Sequence, residues 1–245
     1  QGVVPGTQAY QNAMRQQQQK ENDLLAAVTT QGFNVYIGSY SGRYIDGGGS
    51  NVAIGYNAMV SSGTAANNDA SENVGIGYQA LTVITDGDYN VAVGSSAGAA
   101  QTGSGSNTFV GAESGTDITD GEKNVAIGRR ALFTATTSGD NICIGAHAGQ
   151  AIAAGQTVTN GTVAIGRDAL KALTTGQKNT AIGYEALMTQ EDGDNNTAIG
   201  YQALKTAEAS ADTYGDNTAV GALALTALTT GTGNVAIGKA ALDAS

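Results

Sequence analysis

The chain contains no Trp, three Phe, one Pro, one Cys and one His in 245 residues, and no uninterrupted apolar run of about 18 residues. Each shortage excludes something. With aromatics at only 5%, a thick globular interior cannot be filled, although many thin layers of small and β-branched side chains can. A single Cys rules out an internal disulfide, and a single His leaves a His-based triad or metal site without a second member. Without a long apolar run, no helix of the chain is expected to enter a membrane. Charged residues make up 13%, and 21 acidic against 11 basic side chains give a net charge of -10. That balance speaks against sequence-independent binding to nucleic acid, which needs a dense Lys/Arg surface.

Glycine, by contrast, is abundant, with 36 copies, and its placement is periodic. Units such as Asn179-Thr180-Ala181-Ile182-Gly183-Tyr184-Glu185-Ala186-Leu187 recur twelve times, marked by Gly38, Gly55, Gly77, Gly94, Gly111, Gly128, Gly145, Gly166, Gly183, Gly200, Gly221 and Gly238. The step is 17 residues in eight of eleven intervals and 21 or 22 in the other three. A fixed period of this size predicts a stack of repeats, here an all-β parallel solenoid of about twelve 17-residue rungs over residues 32–245. At about 4.8 Å per layer the rod would be roughly 55 Å long.

Residues 1–31 stand outside the repeat and form a separate segment. From Gln8 to Thr29 there is no Gly or Pro, so a short α-helix is expected. Tyr10, Met14, Gln17, Glu21, Leu24 and Val28 fall on a weak coiled-coil seam. The helix reads equally as a surface helix, an oligomerising one, or an attachment to the base of a larger assembly.

Within each unit, strand alternation puts the second and fourth residues on one face and the first, third and fifth on the other. The fourth is Ile or Val in every copy. That invariance predicts a stacked dry core of Ile54, Ile76, Ile127, Ile182, Ile199, Ile237 and their equivalents. The opposite face carries Ala at the third position in eight copies and Gly at the fifth in all twelve, so another backbone should approach it, either the return leg or a neighbouring chain. Asn opens eleven units, with Thr162 the exception, and suits either a ladder between layers or the preceding turn.

The two residues after each Gly vary and should face water, placing Tyr56, Tyr78, Tyr184 and Tyr201 along one edge. The longest insertion, Ser61 to Glu72, should stand out from the coil as a polar loop. These tyrosines, with Ser61, Asn67, Asn68 and Asp69, form the candidate receptor-contact surface.

Little else suggests chemistry. His147 lies at a variable, water-facing position, and Cys143 takes a slot usually filled by Ala. Gly75-Ile76-Gly77 imitates the start of a dinucleotide fingerprint without a βαβ context. No catalytic constellation can be assembled, so a non-enzymatic protein without a cofactor is expected. Asp86 and Asp88, or Asp192 and Asp194, offer turn carboxylates to Ca2+ as an alternative to plain solubility. Thr108, Thr180, Thr197 and Thr218 could form an ice-binding array, but they share the face of the expected Ile core.

The units Asn51-Val-Ala-Ile-Gly-Tyr-Asn-Ala-Met59 and Asn234-Val-Ala-Ile-Gly-Lys-Ala-Ala-Leu242 resemble the head repeats of YadA-like trimeric autotransporter adhesins. The same string is similar to repeats in tail fibres and other appendages of bacteriophages. The resemblance covers all twelve units and implies a left-handed β-roll with three chains side by side. The function it implies is a structural or adhesive fibre segment of an extracellular appendage, on a virion or a cell surface. A bacteriophage tail or head fibre is the leading expectation, and a bacterial surface adhesin or secreted filament is the alternative. Its partners would be two further copies of itself, an assembly base reached through the N-terminal helix, and a host-cell surface glycan or protein.

Overall fold

A computed structural model describes residues 32–61, 68–152, 161–206 and 215–243, together with Asn12 and Arg15. The remainder of the segment 1–31 lies outside the described residues, and with it the helix expected there.

Twelve three-residue strands follow in chain order: β1 (Val35–Ile37), β2 (Val52–Ile54), β3 (Val74–Ile76), β4 (Val91–Val93), β5 (Thr108–Val110), β6 (Val125–Ile127), β7 (Ile142–Ile144), β8 (Val163–Ile165), β9 (Thr180–Ile182), β10 (Thr197–Ile199), β11 (Thr218–Val220) and β12 (Val235–Ile237). They form one parallel sheet in strict sequential order. Equivalent residues are paired, so Ile182 lies beside Ile199 and Ile199 beside Val220. Each unit is therefore one turn of a β-solenoid, as the period predicts.

The strands are short because the Gly after each one ends it. Gly183 has φ +139°, and a Cβ there would run into the carbonyl of Gly200 in the next rung. The chain then turns through two further left-handed residues, Glu185 (φ 53°) and Leu187 (φ 50°). A left-handed Leu is costly in isolation. Here the side chain is fully buried and its N–H donates to the carbonyl of Ala203 at 3.0 Å, so burial and an inter-rung hydrogen bond offset the strain. The return leg is thus bonded between layers as well as the strand.

The core runs along the axis and is built from Ala and Leu. Ala181, Ala186 and Leu187 are fully buried, and Ile84, Ile118, Ile152 and Leu173 close other rungs. The Ile column belongs elsewhere. Every strand buries its middle residue and leaves the flanking two half-buried or exposed. Ile54 and Ile76 are half-buried, and Ile127, Ile182, Ile199 and Ile237 are exposed, Ile127 by 37% and Ile237 by 72%. The strands alternate as the sequence predicts, but the face turned inward is the one carrying the middle residue, not the Ile face. A 17-residue turn encloses so little space that the strand can send only a small residue inward, because Leu from the return leg fills the rest. The backbone that requires small residues on that face is the chain's own next rung.

Where the strand supplies a large residue, the return leg compensates with Gly. Tyr36 is paired with Gly42 and Phe109 with Gly115, and a Cβ on either glycine would collide with the ring. Conversely, Gly75 leaves room for Met59 from the rung before. Side-chain volume is shared between strand and return leg and between adjacent layers, since Phe109 also fills the space beside Gly98 of the rung before, as close-packed interiors require.

The Asn column is buried and forms a continuous ladder. Backbone N–H groups of Asn51, Asn73, Asn90, Asn107 and Asn124 donate to the side-chain carbonyl of the Asn one rung earlier at 2.8–3.0 Å. The Nδ2 groups of Asn73 and Asn107 donate to the turn carbonyls of Gly87 and Gly121 at 2.8 Å, so each Asn serves both the ladder and the turn. Thr162 interrupts the series: its N–H still reaches Asn141 Oδ1 at 3.2 Å, while its own hydroxyl is buried without a partner.

Candidate functional site

The tyrosine edge exists, in two separate pieces. Tyr56 and Tyr78 stack at 5.7 Å between ring centroids, with Tyr40 edge-on to Tyr56 at 5.9 Å and the Arg43 guanidinium 5.1 Å from the Tyr40 ring. Tyr184 and Tyr201 stack at 5.5 Å. All five of these tyrosines are exposed. Their spacing follows from the fold, since residues in one slot of successive rungs lie about 4.8 Å apart.

The loop reading is only partly met. Asp69 is exposed, but Ser61 and Asn68 are buried, and Asn67 lies outside the described residues. Asn68 is drawn in because its carbonyl accepts the N–H of Asp46 at 2.9 Å, which ties this end of the insertion to the preceding rung.

The turn aspartates are spent on the stack itself. Asp88 Oδ1 accepts the N–H of Ser71 at 2.7 Å and Asp194 Oδ1 that of Gln177 at 2.7 Å. Asp192 Oδ1 accepts the hydroxyls of Thr174 and Thr175 at 2.8 and 2.7 Å. Among the described residues no three His, Cys, Asp or Glu side chains converge as a metal-holding group. Cys143 is fully buried, and burial pushes its thiol up to about 12, far from the thiolate a nucleophile requires.

Two features escaped the reading of the sequence. The first is the outer face of the sheet, where second and fourth residues from twelve rungs form a continuous β-branched stripe that no described residue covers. The Thr residues at 108, 180, 197 and 218 lie on it, outside rather than beside a core.

The second is a charged cluster on the turns after β6, β7 and β8. Asp168, almost fully buried, accepts from Arg167 Nε at 3.1 Å and Lys171 Nζ at 3.3 Å, and lies 3.1 Å from His147 Nδ1. His147 does have an acidic partner, 21 residues away in sequence and one rung away in space. Aligning the units in register would have found it, because His147 and Asp168 fill the same slot.

No family model, curated protein or solved structure matches the chain.

Proposed function

We propose that the chain is a non-enzymatic, homotrimeric rod that serves as the shaft or adhesive segment of an extracellular appendage, with a bacteriophage tail or head fibre as its setting. The observation that supports this is the exposed stripe of Val, Ile and Thr along β1 to β12. It extends on the order of 50 Å, and an apolar strip of that length on a monomer marks an association surface. A left-handed coil with three such stripes facing one another would bury every Ile column at the common axis. The Ile residues would then be core residues of the assembly, though not of the single chain. The segment 1–31 would fasten the trimer to its base, and the exposed Tyr edges would be free for a receptor.

The solenoid suits mechanical work. Its strands and return legs are both hydrogen-bonded between rungs, and its interior is filled with Ala and Leu down to zero exposure. Such a coil leaves room for display on its surface and none for a reaction inside.

Immunogold electron microscopy of the source tests the setting. Label on fibres projecting from virus particles supports the reading, and label on the bacterial envelope favours the adhesin alternative. Label confined to the cell interior contradicts both.

A further inference from the structure

Arg129, Arg130, Arg167 and Lys171, with the lone His147, lie on three successive rungs of a chain that has 21 acidic and only 11 basic residues. Two of the carboxylates in this region are already engaged: Glu113 accepts from Arg130 Nε at 2.5 Å, and Asp168 sits among Arg167, Lys171 and His147. On the next rung the nearest carboxylate in sequence register is Glu185, which is held by Lys205 at 2.6 Å. Arg129 is exposed and has no acidic partner among the described residues. Asp117, whose N–H donates to the Phe133 carbonyl at 3.1 Å, adds a third carboxylate, and four cationic side chains still leave the patch net positive on an acidic rod.

Beside it runs an open groove of about 440 Å3 lined by Thr134, Gln150, Ala151, Lys171, Met188 and Thr189. Lys171 belongs to both features: it lines the groove and reaches Asp168. Arg130 lies 4.6 Å from the ring of Phe133, the residue before Thr134. The groove's floor is apolar and its rim carries hydroxyls and an amide.

The geometry points to a binding site for an acidic sugar on the turns after β6 to β8. An oligouronate supplies both complementary halves. Its carboxylates meet Arg129 and Arg167, which are two rungs or roughly 10 Å apart. Its C–H faces lie on Met188 and Ala151, and its hydroxyls bond the Gln150 amide and donate to the Oγ1 atoms of Thr134 and Thr189, whose own protons go to the carbonyls of Gln150 and Lys205 at 3.0 and 2.8 Å. Asp168 would act by holding Arg167, Lys171 and His147 in place before the ligand arrives. Nucleic acid fits less well: its denser charge would meet the acidic remainder of the rod, and although the Tyr184 ring lies 5.8 Å from the Arg167 guanidinium, no ring lines the groove itself for base stacking. The site lies on the turns and not on the Val/Ile stripe, so it stands or falls independently of chain association.

The test is calorimetric titration of the intact chain at low ionic strength with an oligogalacturonate of six sugars, and separately with neutral maltohexaose. The expected result is binding of the acidic sugar alone, weakened at least tenfold by R129E/R167E and by added salt, and unchanged by K239E in the same slot of the last rung. Both arginines are exposed, so the variant should fold, and an unchanged circular dichroism spectrum checks this. Equal binding of the neutral sugar, no loss in R129E/R167E, or an equal loss in K239E would overturn the proposal. Inorganic phosphate or an oligonucleotide binding more tightly than the hexauronate would overturn it as well.

Discussion

Phe109 occupies the space that Gly115 leaves open. Volume in this coil is thus shared between the strand and its return leg, because a Cβ on Gly115 would collide with the ring. Phe109→Ala should create a cavity and cost about 3 kcal/mol, while Gly115→Leu alone should clash with the ring and cost a similar amount. The double variant recreates the Ala/Leu pattern of the neighbouring rung, where Ala126 and Leu132 are both fully buried. Its stability, measured by chemical denaturation, should exceed that of either single variant. A double variant less stable than both would contradict the shared-volume account.

The Gly that ends each strand is required by backbone contact, not only by its φ angle. Gly183→Ala places a methyl against the backbone of Gly200 and should cost about 3 kcal/mol. Gly238→Ala, in the same slot of the last rung, provides the comparison: φ is +123° there against +139° at Gly183, but nothing lies within 4 Å of the new Cβ. The cost should fall to about 1 kcal/mol, the strain of an Ala in this backbone region. Equal melting temperatures for the two variants would show that strain alone decides.

Much of this was legible in the sequence, and the reasons are local. The period fixes the rung count, the slot of each Gly and the Asn column, because a parallel in-register stack maps identical positions onto one another. Which face turns inward was not legible. Val-Ala-Ile alternation is symmetric with respect to the two sides, and only the Leu of the return leg, whose direction depends on a left-handed backbone at Leu187 or Leu132, decides that Ala goes inside. The pairing of His147 with Asp168 was hidden by the longer 21-residue step between them. The burial of Ser61 and Asn68 was hidden because a polar insertion carries no sign of whether its ends pack against the coil.

The break in the Asn ladder is repairable. Thr162 has a buried hydroxyl without a partner, in a slot where the neighbouring Asn141 and Asn124 are joined side chain to side chain at 3.1 Å. Thr162→Asn should restore the bonds on both sides and add about 1 kcal/mol, read as a raised melting temperature. A lower melting temperature would mean that the slot cannot accept the larger amide.

Glu185 gives the rod a measurable acid response. Lys205 and then Gln202 hydrogen-bond its carboxylate and hold it at about 2, below its ordinary value of 4.5. A carboxyl lowered on folding stabilises the fold above its unfolded value and loses that contribution as pH falls toward its folded value. Native protein should therefore melt higher than Glu185→Gln above pH 4.5, and the gap should close between pH 4.5 and 2. A gap that stays constant over that window would assign the effect to something other than the carboxylate.

The outer stripe of Val, Ile and Thr is explained by association of chains, and the mass of the native particle reports on that directly. Sedimentation equilibrium of the intact protein should give three times the 24.4 kDa chain mass. Replacing Ile127, Ile182 and Ile199 together by Asp, on a face outside the chain's own core, should yield a folded monomer with unchanged circular dichroism. A native protein that sediments as a 24.4 kDa monomer at all accessible concentrations would contradict the account.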